Sequence, residues 1–386
     1  MNKTKVCFVL NDYSVGGVSR VVHDIIKNFD FQIFEIHVIL LKQDMEFAKQ
    51  AKIPKEVTIH IMDYYFDPDY SLKRYLILAL FKNLTKKRAK KVLTKIQEIN
   101  PDVLHFHCLP RELMIGIIAK RKNRNLQLIY TDHLLRITEN DSTPLKRSIL
   151  ILIYKYLYRH FHVISVSKSV KKYQEKYRWL NSNKSNLLIE NRVDLENYDQ
   201  IIYEDQKIVN IVYVARLSNV KGHYCLLKAF KQIADENLVL NLVGDGEMAE
   251  ELKNFCNEQL ISNVIFHGNI TNVPLFLNKM DLAVFPSNKE GLPISLLEKM
   301  ASGLPIIVSD IPELTDFIEN QVNGLVFTRN NPTELKDHIR ELSDNLPLRK
   351  ALGMQARKTL ELRFGEKNIG EITMEHYEEV LKHCSF

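Results

Sequence analysis

Asn288-Lys-Glu-Gly-Leu-Pro-Ile-Ser-Leu-Leu-Glu-Lys-Met-Ala-Ser-Gly303 follows directly on the apolar run Leu282-Ala-Val-Phe285 and the pair Pro286-Ser287. A short uninterrupted apolar run that ends in Pro and Gly reads as a strand buried on both faces, hence one of a parallel sheet. The spacing predicts a helix starting near Pro293, where a missing N–H costs nothing, and stopping at Gly303. Glu290 then sits in the turn and Glu298 about a turn and a half into the helix. The turn amides near Gly291 and Leu292 face the same way as the positive end of the helix dipole, which is an arrangement that takes an anion. Two glutamates eight residues apart on either side of a phosphate seat offer acceptors to vicinal hydroxyls, the layout of a nucleotide-sugar. The plainer reading is a βα turn whose glutamate complements the dipole.

The same strand, loop and helix rhythm runs outward in both directions. Upstream, Thr4-Lys-Val-Cys-Phe-Val-Leu10 is a strand that feeds the glycine loop before a helix with Val18, Val21, Val22, Ile25 and Ile26. Gly16 and Gly17 in that loop permit close approach of backbone to a ligand or tight packing, and the full G-x-G-x-x-G spacing of a dinucleotide site is missing. Further strands are expected at 34–41, 57–62, 101–107, 126–133 and 161–167. His105 and His107 share one face of their strand by the period of two, and His133 stands at the carboxyl end of the next, where ligands sit in parallel sheets.

A second series restarts at Ile208-Val-Asn-Ile-Val-Tyr-Val214 after a polar run, 196–207, that reads as a linker. Arg216 and Lys221 flank the loop after this strand, where two cations can neutralise a diphosphate. Gly244 follows the strand at 238–243, and Asn269 follows the one at 264–268. The chain therefore divides into two α/β units, and 386 residues suit two.

Charge is uneven. The net +6 splits into +13 for residues 1–200 and −7 for the rest. Residues 71–95 hold nine Lys or Arg and no acid, interleaved with Leu, Phe and Tyr, and Leu145 to Arg159 repeats the pattern. Basic and apolar residues at helical spacing suit an anionic membrane surface or a solvated helix packed on a sheet. No recognition module for nucleic acid is present. Nor is there an uncharged apolar run long enough to span a bilayer, or a signal peptide, so a cytoplasmic protein, peripheral on the inner face of the plasma membrane at most, is expected. The five cysteines form no C-x2-C pair, and Asp67-Pro-Asp69 precedes a helical stretch where Asp serves as a cap, so neither disulfides nor a metal are expected.

Glu290-Gly-Leu-Pro-Ile-Ser-Leu-Leu-Glu298 resembles the E-x7-E element of retaining glycosyltransferases of the GT-B fold, the large bacterial surface-polysaccharide type. Ala215-Arg-Leu-Ser-Asn-Val-Lys-Gly222, Asn191-Arg-Val-Asp194 and Asn323-Gly-Leu-Val326 are similar to further elements of that family. The resemblance covers nearly the whole chain, with two departures, Arg192 and Ala215, each at a glycine of the family.

It implies two facing Rossmann-like domains with an interdomain cleft: 1–200 for the acceptor, 201–365 for the donor, and a closing helix within 366–386 that returns to the first. It implies that Arg216 and Lys221 stabilise the departing nucleotide diphosphate, that Glu298 accepts from ribose hydroxyls and Glu290 from the sugar, and that His133 orients the sugar. Gly16, Gly17, Gly244, Asn269, Gly291 and Leu292 would complete the donor site, with no metal or cofactor. The implied activity is transfer of a hexose or N-acetylhexosamine from a nucleotide-sugar, UDP by base rate, to a saccharide or lipid-linked acceptor. A nucleotide-sugar 2-epimerase and a noncatalytic sugar-nucleotide-binding subunit share the shell and stay open.

Overall fold

A computed structural model describes all residues except 1–2, 14–15, 46–52, 63–81, 109, 134–143, 183, 205–206, 234, 292, 366 and 383–386. Asp67, Asp69, Leu292 and the first part of the basic stretch thus lie outside the described residues, as do the side chains of 82–88.

The apolar runs read as strands in the sequence become strands. In the first unit these are β1 (Thr4–Leu10), β2 (Phe34–Leu40), β3 (Thr58–Ile61), β4 (Val103–His107), β5 (Gln127–Asp132), β6 (His162–Ser165) and β7 (Asn186–Leu188). In the second they are β8 (Val209–Val214), β9 (Leu238–Val243), β10 (Val264–Gly268), β11 (Leu282–Phe285), β12 (Ile306–Ser309) and β13 (Leu325–Phe327). All pair in parallel, in the orders β3-β2-β1-β4-β5-β6-β7 and β10-β9-β8-β11-β12-β13. Central strands are buried throughout: Val6 to Leu10, Val103 to His107 and Leu282 to Phe285 are all at or near zero exposure. That explains why their sequences run apolar instead of alternating.

Strand order reverses between β1 and β4 in one sheet and between β8 and β11 in the other. Loops leaving neighbouring strands at such a point diverge to opposite faces and leave a crevice at the carboxyl edge. Topology alone therefore singles out the loops after β1 and β4, and those after β8 and β11.

The chain forms two compact units, residues 1–191 with 368–386 and residues 192–367. Helix Ile369–Lys382 belongs to the first unit and packs beside helix Gly17–Lys27. Its Tyr377 is buried among Phe29, Phe34 and His105, with its hydroxyl 2.5 Å from His105 Nδ1.

The polar run 196–207 behaves differently from a linker. Tyr198 is buried and its hydroxyl donates to Glu298 Oε1 at 3.0 Å, while the Ile201 amide donates to the Ser302 carbonyl at 3.0 Å. Tyr203 donates to the carbonyl of Gly303. Two tyrosines and one isoleucine thus fasten the run to helix Ile294–Ser302, and the polar residues between them face water.

The two departures from the family's glycines are both accommodated. Neither Arg192 nor Ala215 has a positive φ, so no glycine is needed. The Arg192 guanidinium donates to the carbonyls of Phe364 at 2.8 Å and Lys367 at 2.6 Å and lies 5.1 Å over the Phe364 ring, closing the end of helix Leu346–Phe364.

Candidate active site

Lys221 and Glu290, 69 residues apart in sequence, meet at the carboxyl edge where β8 and β11 part. Lys221 Nζ lies 2.6 Å from Glu290 Oε2, and only 6% of the glutamate side chain is exposed. Local chemistry builds this contact in steps. Tyr213, near the end of β8, is wholly buried and its hydroxyl donates to the Lys221 carbonyl at 2.9 Å. The same hydroxyl is 2.8 Å from Ser287 Oγ, which donates to Glu290 Oε1 at 2.7 Å. Ser309 at the end of β12 in turn donates to the Ser287 carbonyl at 2.5 Å. Burial and the Glu290 charge push the Tyr213 phenol well up, which keeps it a neutral donor.

Gly222 lets the two loops touch. It adopts φ +69°, and a Cβ there would lie 1.9 Å from the Pro286 carbonyl oxygen. The adjoining Asn288 amide donates to the Val220 carbonyl at 2.8 Å. Gly244 plays the matching part on the other side: at φ +126° it presses on the Ala215 carbonyl, where a Cβ would stand 2.2 Å away. The loop carrying Arg216 and Lys221 is thereby clamped between the turns after β9 and β11.

Arg216 itself is 73% exposed and its guanidinium lies 3.2 Å from Glu247. An exposed pair of this kind contributes little to stability, so the side chain can leave Glu247 for an anion at small cost. Asn269, following β10, is also exposed, and the Gly268 carbonyl beside it accepts from the Gly244 amide at 2.7 Å.

Helix Ile294–Ser302 starts one residue later than its proline: Pro293 is the N-cap, with φ −72° and ψ 114°. Gly303 ends it in the left-handed region at φ +75°, as the sequence predicts. Glu298 is 5% exposed, with Tyr198 on Oε1 and the ammonium of Lys299 3.8 Å from Oε2. Gly291 is buried.

In the first unit, Gly16 is extended (φ 177°) and has nothing within 4 Å of where a Cβ would stand, and Gly17 opens the helix after β1. Both are exposed at the carboxyl edge. His133 follows β5, 8% exposed, with Nε2 3.0 Å from His107 Nδ1 at the end of β4. The His105 and His107 rings are 4.2 Å apart, and His105 Nε2 is 2.7 Å from Thr131 Oγ1. Burial drives the pKa values of His105 and His107 well below the ordinary histidine range, reinforced by neighbouring imidazoles. At neutral pH these rings are uncharged hydrogen-bond partners packed in the strand end. Asp132, beside His133, is buried and accepts from Tyr158 at 2.8 Å and Gln174 at 2.9 Å, which anchors the strand end.

Tyr213, Ser287, Tyr198, Lys299, His107 and Asp132 were not foreseen as site residues. Tyr213, Ser287, Tyr198, Lys299 and His107 each approach a predicted one, Asp132 anchors the strand end beside His133, and only the period-two pairing of His105 with His107 left a trace in the sequence. Among the described residues, no three His, Cys, Asp or Glu side chains group closely enough to hold a metal ion, and no helix is long and apolar enough to cross a membrane.

Two parallel sheets, each with polar side chains gathered at its carboxyl edge, match the arrangement in which open α/β sheets bind ligands in the crevice outside the carboxyl ends of their strands. Residues 15–197 match the family Glycosyltransferase Family 4 and residues 195–359 match Glycosyl transferases group 1. The chain is 26% identical over 386 residues to N-acetyl-alpha-D-glucosaminyl L-malate synthase of Bacillus anthracis, covering 96% of this chain and 95% of that one. It is 24% identical over 322 residues to a capsular polysaccharide biosynthesis glycosyltransferase of Staphylococcus aureus, covering 79% and 83%. Among solved structures it is similar to Anabaena HepE in complex with UDP and glucose, with a TM-score of 0.76, 19% identity and coverage of 98% and 99%. It also resembles sucrose-phosphate synthase from Thermosynechococcus elongatus, with a TM-score of 0.77, 16% identity and coverage of 99% and 100%. The chain belongs to the group 1 glycosyltransferases and has the GT-B fold.

Proposed function

We propose that this glycosyltransferase moves a hexose or N-acetylhexosamine, with retention of anomeric configuration and without a metal, from a UDP-sugar to a saccharide or lipid-linked acceptor of cell-surface polysaccharide synthesis. The observation that carries the reading is the Lys221–Glu290 contact, seated at the switch point of the second sheet. The complex of UDP and glucose with the similar Anabaena protein and the capsular role of the Staphylococcus relative support the donor and the product class.

In this reading residues 192–367 bind the donor and the first unit binds the acceptor. The Lys221 ammonium exchanges part of its contact with Glu290 for the leaving diphosphate, joined by Arg216. Negative charge grows on that diphosphate in the transition state, so fixed cations there lower the barrier most. Glu290, released from part of its pairing, accepts from hydroxyls of the sugar, Glu298 from those of the ribose, and His133 orients the sugar. Gly244, Asn269, Gly291 and Leu292 bring backbone to the nucleotide and phosphates, with Gly16 and Gly17 beside the donor phosphates and the acceptor.

A thermal-shift screen of nucleotide-sugars tests the donor, because a ligand at 100 times its Kd adds about 2.7 kcal/mol of stability. With the donor in hand, Lys221→Ala should lower kcat by about a hundredfold, the scale of one lost transition-state donor. A near-normal rate would remove Lys221 from the chemistry. Product anomer by NMR decides retention, and turnover in chelator decides the metal. A free, altered nucleotide-sugar formed without acceptor would identify an epimerase instead.

Anionic membrane contact through the basic residues of 71–95 and 145–159 belongs to the same proposal. Helix Pro144–Tyr158 turns Leu145 (72% exposed) and Leu152 (66%) outward with Tyr156, and Arg159 lies 4.4 Å over the Tyr156 ring. Flotation should favour vesicles with anionic lipid over neutral ones, and equal recovery from both would end this part.

A further inference from the structure

Lys299 is the one lysine among the largest fully buried side chains, at 0% exposure. Its helix neighbours Leu296, Leu297, Met300 and Ala301 are also wholly buried, and Nζ has no hydrogen-bond partner among the described residues. An apolar side chain of similar volume would fill this place without the cost of taking an ammonium out of water. What lysine adds is charge, and the charge has one evident destination. Nζ is 3.8 Å from Glu298 Oε2, past hydrogen-bond reach, so it acts on the carboxylate through the field and not by occupying a lone pair. The nearby Arg357 is engaged elsewhere, donating to the carbonyls of Tyr198 and Ala301 and pairing with Glu361. Tyr198 fixes the other carboxylate oxygen at 3.0 Å.

We propose that Lys299 is a positioning residue for donor binding: its buried ammonium supplies the countercharge that holds the Glu298 carboxylate in place as an acceptor for ribose hydroxyls of the nucleotide. The proposal rests on the reading in which Glu298 meets the ribose. Burial lowers the Lys299 ammonium to about 8, opposed by Glu298, so the charge is present at neutral pH. Below that value the pair is ionic, and above it the carboxylate loses its partner.

The test is calorimetric, on the full chain. UDP, GDP and ADP are each titrated into wild type, and the one that binds most tightly is compared with its 2′,3′-dideoxy analogue in wild type and in Lys299→Met. Hydrogen bonds from hydroxyls to a charged group should make wild type prefer the ribose form by about tenfold or more. In Lys299→Met the ribose form should weaken by about tenfold while the dideoxy form binds as before. The donor KM should rise by the same factor, with the change in KM and not in kcat. An unchanged ribose preference in Lys299→Met, with the variant's melting temperature at or above wild type, would overturn the assignment. A wild type that binds no diphosphate, or does not distinguish ribose from dideoxyribose, would instead overturn the role of Glu298, and this inference with it.

Discussion

Gly222→Ala probes the contact on which the candidate active site is built, and Gly268→Ala is its control. Both glycines have positive φ, +69° and +64°, so each alanine takes on the left-handed backbone cost of about 1–2 kcal/mol. Only Gly222 adds a collision. Its Cβ would sit 1.9 Å from the Pro286 oxygen, whereas nothing lies within 4 Å of one at Gly268. Relieving the collision separates the two loops by at least about 1 Å, an overpacking cost of about 1–3 kcal/mol. It also stretches the 2.8 Å bond from the Asn288 amide to Val220, worth about 1 kcal/mol.

The expected totals are about 3–6 kcal/mol for Gly222→Ala and about 1–2 kcal/mol for Gly268→Ala. At about 2–4 °C per kcal/mol for a body of this size, the melting temperature falls at least twice as far in the first. With Lys221 displaced from Glu290 by at least about 1 Å, kcat should drop by about a hundredfold. Thermal melts and steady-state rates of the two variants, measured side by side, check both numbers. Equal melting temperatures, or a Gly222→Ala enzyme of near-normal rate, would show that the two loops do not depend on this contact.

Lys299→Met should be more stable than wild type at neutral pH, and the gap should close with rising pH. Unfolded, the lysine holds its proton to about 10.5, while the folded value is about 8; between them the unfolded chain binds more protons and wild-type stability rises. The gap should narrow by about 3 kcal/mol from pH 8 to 10.5 in urea melts, and a constant gap would refute the buried charge. Arg192→Gly removes charged donors from the carbonyls of Phe364 and Lys367 and should cost about 1.5–3 kcal/mol, read as a lower urea midpoint. Tyr377→Phe leaves buried His105 Nδ1 without its hydroxyl partner and should cost about 1–3 kcal/mol; an unchanged midpoint would mean a water takes its place.

Strands, sheet type and the division into two α/β units were legible because they follow from local apolar runs. Leu282 to Phe285 cannot be apolar on both faces unless both faces are covered, and that requirement is written in consecutive residues. Helix ends were legible for the same reason, Gly303 being the clearest. The polar run at 196–207 misled because its composition is exposed while its anchors, Tyr198, Ile201 and Tyr203, are three residues scattered through it. That Arg192 and Ala215 fit where the family has glycine was decided by backbone angles alone.

By itself the sequence determined which residue types follow the strand ends, the glycines 16, 17 and 244, His133, Arg216, Lys221 and Glu290, and that Glu298 lies in the helix beyond. Tertiary structure decided their company. Lys221 meets Glu290 across 69 residues because β8 and β11 are sheet neighbours and Gly222 has no side chain to hold them apart. Lys299 is charged and adjacent to Glu298 in the chain, yet nothing in a string of letters says that it is sealed from water. Burial is a property of packed neighbours, and it converts an ordinary surface-type residue into the field that acts on a site.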